Sequence, residues 1–394
     1  MLPLDSPLSL SHPLLDGRTA TSPLVRALRG DKPETRPVWF MRQAGRSLPE
    51  YRALRVGTEM LDACLTPDIA SEITLQPVRR HGVDAAVFFS DIVVPVKLAG
   101  LDVRIVAGRG PVIDDPIRTA SDVLRLPPLD PAALDPIREA VARTVAELGS
   151  TPLIAFGGAP YTLASYLVEG GPSKDQLRAR TMMYADPHSW AALLNWCADV
   201  TGMFIRAQVE AGASVAQLFD SWVGSLSRRD YQRRVAPHSE RAFSALRGLT
   251  VPRIHFGVDS AAVLDLMAGM ADAVGVGRDA VPEVDDVSGS FRPTLEHVQH
   301  VRLEGRPWGS EQRRIDVALQ RDPPLELLVR LVERQAPVDA VDVGAHLADA
   351  VEDRRRAVGE VDHRHARGAH RRDQGRGRLE DVAIPVLGRD HADP

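Results

Sequence analysis

Leu153-Ile-Ala-Phe-Gly-Gly-Ala-Pro160 is an apolar run that ends in glycines and leads directly into the helix-like segment Pro160 to Glu169. A run this short and this apolar reads as a buried parallel strand with helices over both faces. Four more segments have the same form: Asp84-Ala-Ala-Val-Phe-Phe-Ser90, Val215-Ala-Gln-Leu-Phe219, Arg253-Ile-His-Phe-Gly257 and Ala271-Asp-Ala-Val-Gly-Val276. Amphipathic stretches lie between them, among them Pro187 to Gly212 and Asp230 to Gly248. The first opens at Asp186-Pro187, a cap followed by proline at the first helical position. Repeated strand-then-helix units imply a parallel α/β architecture, either a closed barrel or an open doubly wound sheet.

The strand ends separate these two. A dinucleotide-binding sheet carries Gly-x-Gly-x-x-Gly between its first strand and helix. Here Gly108-Arg-Gly110 runs into Pro111 and no helix, so it reads as a turn. The apolar runs give way instead to acid, hydroxyl and glycine: Ser90-Asp91, Gly157-Gly-Ala-Pro160, Asp220-Ser221. Active sites of (β/α)8 barrels are built from loops at the carboxyl ends of the strands, and these ends favour the barrel.

Each candidate residue has a second reading. In Pro37-Val-Trp-Phe-Met-Arg-Gln-Ala-Gly-Arg-Ser-Leu-Pro-Glu-Tyr-Arg52, Arg42, Arg46 and Arg52 stand beside Gln43, Ala44 and Gly45. Guanidinium forks pair carboxylates bidentately and keep their charge, which suits a pocket for a polycarboxylate. The alternative is a solvated basic face, against which the preceding apolar Trp39-Phe-Met41 argues. Asp91 is a lone carboxylate in apolar sequence, matched to an arginine or held for a ligand. Tyr161 and Tyr166 read as core or interface residues. Ser221 reads as a helix cap rather than a nucleophile, with no histidine near it in sequence. Glu169-Gly-Gly-Pro-Ser-Lys174 lacks Walker spacing.

Three of these segments together resemble the uroporphyrinogen decarboxylase family: the arginine segment from Pro37 to Arg52, Phe89-Ser-Asp-Ile92, and Phe156 to Lys174 with Ala164-Ser-Tyr-Leu167 inside it. Gln217-Leu-Phe-Asp-Ser-Trp-Val-Gly224 is a fourth match. The resemblance implies a TIM barrel and removal of the four acetate carboxylates of uroporphyrinogen III to give coproporphyrinogen III. It implies no metal and no cofactor, a tetrapyrrole as the small-molecule partner, and a homodimer. It makes Asp91 the central carboxylate that accepts pyrrole N–H bonds and assigns Tyr166 and Ser221 to substrate contact. Arg42, Gln43, Ala44, Gly45 and Arg46 become the carboxylate-binding loop, with Arg42, Asp91 and Tyr166 catalytic. The related zinc- and thiol-using methyltransferases carry a His-x-Cys pattern, which neither Cys64 nor Cys197 supplies.

The match covers about Ser22 to Val276. Beyond it the family's Asp-Trp, Gln-Gly-Asn-Leu-Asp-Pro and Asn-Leu-Gly-His-Gly motifs are absent, and the composition changes. Lys, Met, Cys, Asn and Tyr do not occur after Arg278, while arginine and histidine abound. A GC-rich gene read in a shifted frame yields this composition. The expected organisation is a loose leader over residues 1–21, a barrel over 22–277 and an atypical segment over 278–394. The barrel is then incomplete or distorted at its last two strands, and the segment after Glu352 is mobile. Within that last segment Pro324 to Arg334 has helical spacing and is expected to form one helix. A defective or non-enzymatic product that keeps the substrate motifs is the alternative function.

Composition adds bounds. A formal net charge of −5 gives no reason to expect nucleic acid or an anionic membrane as partner. Two cysteines without metal-ligand spacing read as free buried thiols. No apolar run spans a bilayer, and the first residues lack a signal-peptide pattern, so a cytoplasmic enzyme is expected.

Overall fold

The apolar runs pair side by side, in parallel and in chain order. The structure is a computed structural model that describes residues 8–40, 45–46 and 48–276, together with the backbone of three later strands. The strands are β1 (Ala86–Val87), β2 (Val103–Val106), β3 (Gly110–Ile113), β4 (Leu153–Gly158), β5 (Val215–Asp220), β6 (Arg253–Gly257), β7 (Ala273–Val276), β8 (His297–Leu303), β9 (Arg313–Gln320) and β10 (Glu326–Glu333). The main sheet has the order β1-β4-β5-β6-β7-β8-β9-β10. Pairings from β1 to β7 are all parallel. A parallel bridge between Trp39 and Ala85 adds a stave before β1.

Every residue of β4, β5 and β7 is buried, because helices cover the sheet. The Pro187–Glu210 helix begins as its sequence suggests: Asp186 accepts the Ser189 N–H at 3.1 Å, and proline sits in the first turn. Its Gln208 spans to β4, where the amide accepts from Phe156 N–H at 3.1 Å and donates to Phe156 O at 2.9 Å. β2 and β3 form a separate antiparallel hairpin. Gly108 and Gly110 turn it with φ of 74° and 94°, conformations that L side chains avoid.

The ending departs from a regular barrel. β8 pairs antiparallel with β7, β9 with β8, and β10 with β9. Among the described residues no parallel strand follows β7, and no pairing joins β10 back to Trp39. The architecture is α/β, that of a (β/α)8 barrel altered where its last two staves belong. The helix expected over Pro324 to Arg334 is corrected: Glu326–Glu333 is strand β10. Its leucines and valines fit a two-residue period as well as a helical one, and pairing with β9 decides between them.

The expected loose leader also differs over its described part. Leu8, His12 and Leu14 are buried. The His12 ring lies 2.9 Å from Val209 O, and the Thr19 and Ser214 hydroxyls are 2.8 Å apart, so apolar burial and paired polar groups anchor the segment. The chain divides into two compact units, Met1–Pro337 and Val338–Pro394. The mobile tail expected after Glu352 lies outside the described residues.

Candidate active site

Because the staves are parallel, the segments just beyond β1, β4 and β5 emerge at one end of the sheet. Asp91 stands four residues past β1 and is 7 % exposed. Its Oδ1 accepts the Val93 N–H at 3.3 Å and its carbonyl accepts Val94 N–H at 3.1 Å, which turns the chain into the short Val94–Leu98 helix. Upstream, Phe89 N–H donates to Thr74 Oγ1 at 2.9 Å and fixes the strand exit against the Pro67–His81 helix.

The arginine segment is held beside this exit. Asp84 Oδ2 accepts the Val38 N–H at 2.6 Å where Trp39 pairs with Ala85. On its other side Tyr51 meets Phe89 edge to face, with centroids 6.1 Å apart. Between these anchors Gly45 is buried next to Pro77 and Arg46 is exposed. Arg42, Gln43 and Ala44 lie outside the described residues.

Tyr166 comes from the Pro160–Glu169 helix that succeeds β4. Its ring stacks on Trp222, with centroids 4.0 Å apart and 26° between planes. Burial, and then the charge of Asp91, push the phenol up to about 12, so it stays protonated at neutral pH. Its O–H makes no hydrogen bond to a described residue. The group is therefore a donor available to a carboxylate, not a base.

Ser221 is half-buried, directly after β5 and directly before Trp222. Trp222 N–H donates to Thr162 Oγ1 at 3.4 Å, and Thr162 Oγ1 donates to Asp220 Oδ1 at 2.8 Å. The Ser225 hydroxyl donates to Trp222 O at 2.9 Å and sits 2.8 Å from the Tyr161 hydroxyl. The turn after β5 is thus tied at two points to the helix that carries Tyr166. It also lies close to the turn after β6: a Cβ on Gly224 would stand 2.7 Å from Val258 O.

Asp91, Tyr166 and the Ser221–Trp222 turn are therefore brought together from three strand ends. Trp222 and Thr162 were not legible as site residues in the sequence. Their signal was position alone: Trp222 adjoins Ser221, and Thr162 stands one helical turn before Tyr166. Tyr161 is in the core, edge to face with Trp190 at 6.1 Å.

Among the described residues no group of three or more His, Cys, Asp or Glu could hold a metal ion. Cys64 and Cys197 are both buried, and burial pushes the Cys197 thiol up. A cavity of about 230 Å³, lined by His12, Arg18, Glu210 and Gly212, lies at the opposite end of the strands. Its polar groups are already paired within the fold, His12 with Val209 O and Arg18 with Asp16.

The model of the family described as uroporphyrinogen decarboxylase matches residues 19–299, which runs past Val276. The chain is 64 % identical over 263 residues to a uroporphyrinogen decarboxylase of Arthrobacter sp. strain FB24, covering 66 % of this chain and 76 % of that one. It is 60 % identical over 289 residues to the protein of that name from Leifsonia xyli subsp. xyli, covering 68 % and 76 %. For the one from Mycolicibacterium vanbaalenii the figures are 50 % over 327 residues, 82 % and 89 %. Among solved structures a methyltransferase from Methanosarcina mazei aligns with TM-score 0.51 at 16 % identity, covering 64 % of this chain and 73 % of that one. That likeness concerns the fold alone.

Proposed function

This chain belongs to the uroporphyrinogen decarboxylase family, and from that premise we propose how its own residues carry out the decarboxylation. The substrate is uroporphyrinogen III, whose four acetate arms each lose carbon dioxide to leave methyl groups, giving coproporphyrinogen III in porphyrin and heme biosynthesis. It is a carboxy-lyase reaction. The alternative of a non-enzymatic product is not favoured by relatives that all bear the enzyme's name.

Losing carbon dioxide from an acetate arm leaves an electron pair on the methylene carbon. A pyrrole protonated at its α-carbon accepts that pair, so the C–C bond breaks as the ring becomes neutral. The exocyclic carbon then takes a proton and the α-proton leaves. The protein's task is to stabilise the cationic pyrrole, hold the carboxylates and deliver protons. We assign the first to Asp91, whose carboxylate also accepts pyrrole N–H bonds. Arg42 and Arg46 hold substrate carboxylates, with Gln43, Ala44 and Gly45 shaping the loop between them. Tyr166 donates its phenolic hydrogen to a carboxylate, and Ser221 binds another from the facing turn.

One observation carries this reading. A carboxylate 7 % exposed stands in apolar sequence at a strand's carboxyl end, and its charge is felt by a tyrosine from the next stave. The test is anaerobic incubation of the full chain with uroporphyrinogen III, with the products separated by carboxylate number. Stepwise loss to the four-carboxylate product is expected, and no decarboxylation by a folded chain refutes the assignment.

The enzyme is proposed to be a cytoplasmic homodimer. Among the described residues no helix is long and apolar enough to cross a membrane. Sedimentation equilibrium reads the assembly directly. For residues 278–394 we keep the shifted-frame reading, supported by the composition after Arg278. Resequencing the gene across the codons for Val274 to Ala280 decides it.

A further inference from the structure

Behind the Ser221–Trp222 turn, on the face of the sheet turned toward the helices, lies a cluster of buried polar groups that substrate contact does not use. Asp220 and His255 are both fully buried, with Oδ2 and Nε2 3.6 Å apart, too long for a hydrogen bond. In the β5–β6 register Asp220 faces Gly257 and Leu218 faces His255, so the two side chains meet diagonally on one face. The His255 ring stands edge to face with Phe243 of the Ala236–Ser244 helix, with centroids 5.7 Å apart.

Tyr231 closes the cluster. Burial, and then the Asp220 charge, hold its phenol well above the ordinary value. Its hydroxyl and that of Ser239 approach each other without forming a well-shaped hydrogen bond. Asp220 Oδ2, both His255 nitrogens, Tyr231 Oη and Ser239 Oγ are thus all buried without hydrogen-bond partners. Native interiors seldom retain unpaired polar groups, and a run of them calls for an explanation. The other oxygen of Asp220 supplies one: it accepts from Thr162, whose hydroxyl in turn accepts the Trp222 N–H.

We propose that His255, Asp220 and Thr162 form a positioning relay that sets the Tyr166–Trp222 stack against the substrate. Two hydrogen bonds and one packing contact make up the chain. His255 packs 3.6 Å from the second Asp220 oxygen and limits how the carboxylate can turn, Asp220 holds the Thr162 hydroxyl, and Thr162 anchors Trp222 from one turn before Tyr166. None of the three touches the reacting atoms. They act on the angle at which the phenol of Tyr166 and the face of Trp222 meet the macrocycle. The relay rests on the proposed substrate site, but its spectroscopic consequence does not need substrate.

The test uses the full chain and four variants, His255→Leu, His255→Gln, Thr162→Val and Thr162→Ser. The first readout is the near-UV circular-dichroism band that Trp222→Phe removes, which reports the stack without substrate. The second is the separation of KM from kcat with uroporphyrinogen III. Thr162→Val, an isosteric change that keeps the far-UV spectrum, is expected to weaken the band and raise KM about tenfold, as a displaced contact group does. His255→Leu is expected to do the same, whereas Thr162→Ser and His255→Gln keep both readouts within about twofold of the parent. An unchanged band and KM in Thr162→Val overturns the relay, as does equal damage from Ser and Val at that position. If His255→Leu does not fold, the Thr162 pair alone decides. If the parent chain has no turnover, the proposed function fails while the band still tests the relay.

Discussion

Gly158→Ala probes the point where two strand ends of the site touch. A Cβ built on Gly158 would stand 2.9 Å from Leu163 Cγ and Cδ2 and 3.0 Å from Ile92 Cβ. Ordinary carbon contacts lie near 3.5–4.0 Å, so the neighbours must move by about half an ångström or more. Neither yields easily. Leu163 is fully buried, and the Ile92 atom is a branched Cβ next to the backbone. Overpacking of this kind costs about 1–3 kcal/mol. At about 2.1 cal/mol/K of unfolding entropy per residue, a chain of this size shifts by about 1–2 °C per kcal/mol, so the melting temperature drops by about 1–6 °C. The displaced residues are also functional neighbours: Ile92 adjoins Asp91, and Leu163 lies on the helix of Tyr166. A misplacement approaching 1 Å at a reacting group lowers turnover about 10²-fold. Gly157→Ala is the internal control. Its added Cβ would meet Thr201 Cγ2 at 3.0 Å and Ile205 Cγ1 at 3.1 Å on the covering helix, away from the site. Differential scanning calorimetry and kcat/KM on both variants read the outcome. Gly157→Ala is expected to lose stability while keeping most of its turnover, and Gly158→Ala to lose both. Equal turnover in the two variants, or a Gly158→Ala melt within about 0.5 °C of the parent, refutes the contact argument.

Asp91→Asn keeps the side-chain shape and removes the charge that offsets a cationic pyrrole, so turnover falls at least about 10²-fold while circular dichroism stays unchanged. Near-normal turnover would remove Asp91 from the mechanism. Arg46→Ala is expected to raise KM about tenfold or more with a smaller change in kcat, the loss of one charge-assisted contact to carboxylate, and an unaltered KM contradicts it. The Tyr166 phenol, held up to about 12, ionises later in the folded chain than in the unfolded one, whose phenols titrate near 10. Its contribution to stability is therefore complete below pH ~10 and lost as pH rises through ~12. Tyr166→Phe should flatten part of the fall in denaturation free energy across that window, and an identical alkaline profile in parent and variant would sink the point.

Much of this fold was legible because its signals are local. An apolar run such as Val215 to Phe219 is buried on both faces whatever its neighbour, and all six residues of β5 are buried. Asp186-Pro187 caps a helix through its own first-turn amides, and it does so here. Asp91 was visible as a candidate because a carboxylate seldom succeeds Val87-Phe-Phe-Ser90 without a purpose. The segment Leu8 to Thr21 shows the opposite case. It has no period of its own, yet it is anchored through His12 and Thr19 to residues nearly two hundred positions away. Glu326 to Glu333 fits both a helical and a two-residue period, and only its pairing with β9 makes it a strand.

The sequence by itself determined that five apolar runs would be strands and that they would lie parallel, and it nominated their carboxyl ends for the chemistry. Only the tertiary structure decided that Trp222 stacks on Tyr166 and that His255 of β6 meets Asp220 of β5. It also decided that antiparallel strands come after β7. The physical reason is the range of the interactions. Burial and capping act within a few residues and leave a pattern in the chain. The register between strands, and the side chains that register brings together, depend on atoms far apart in sequence.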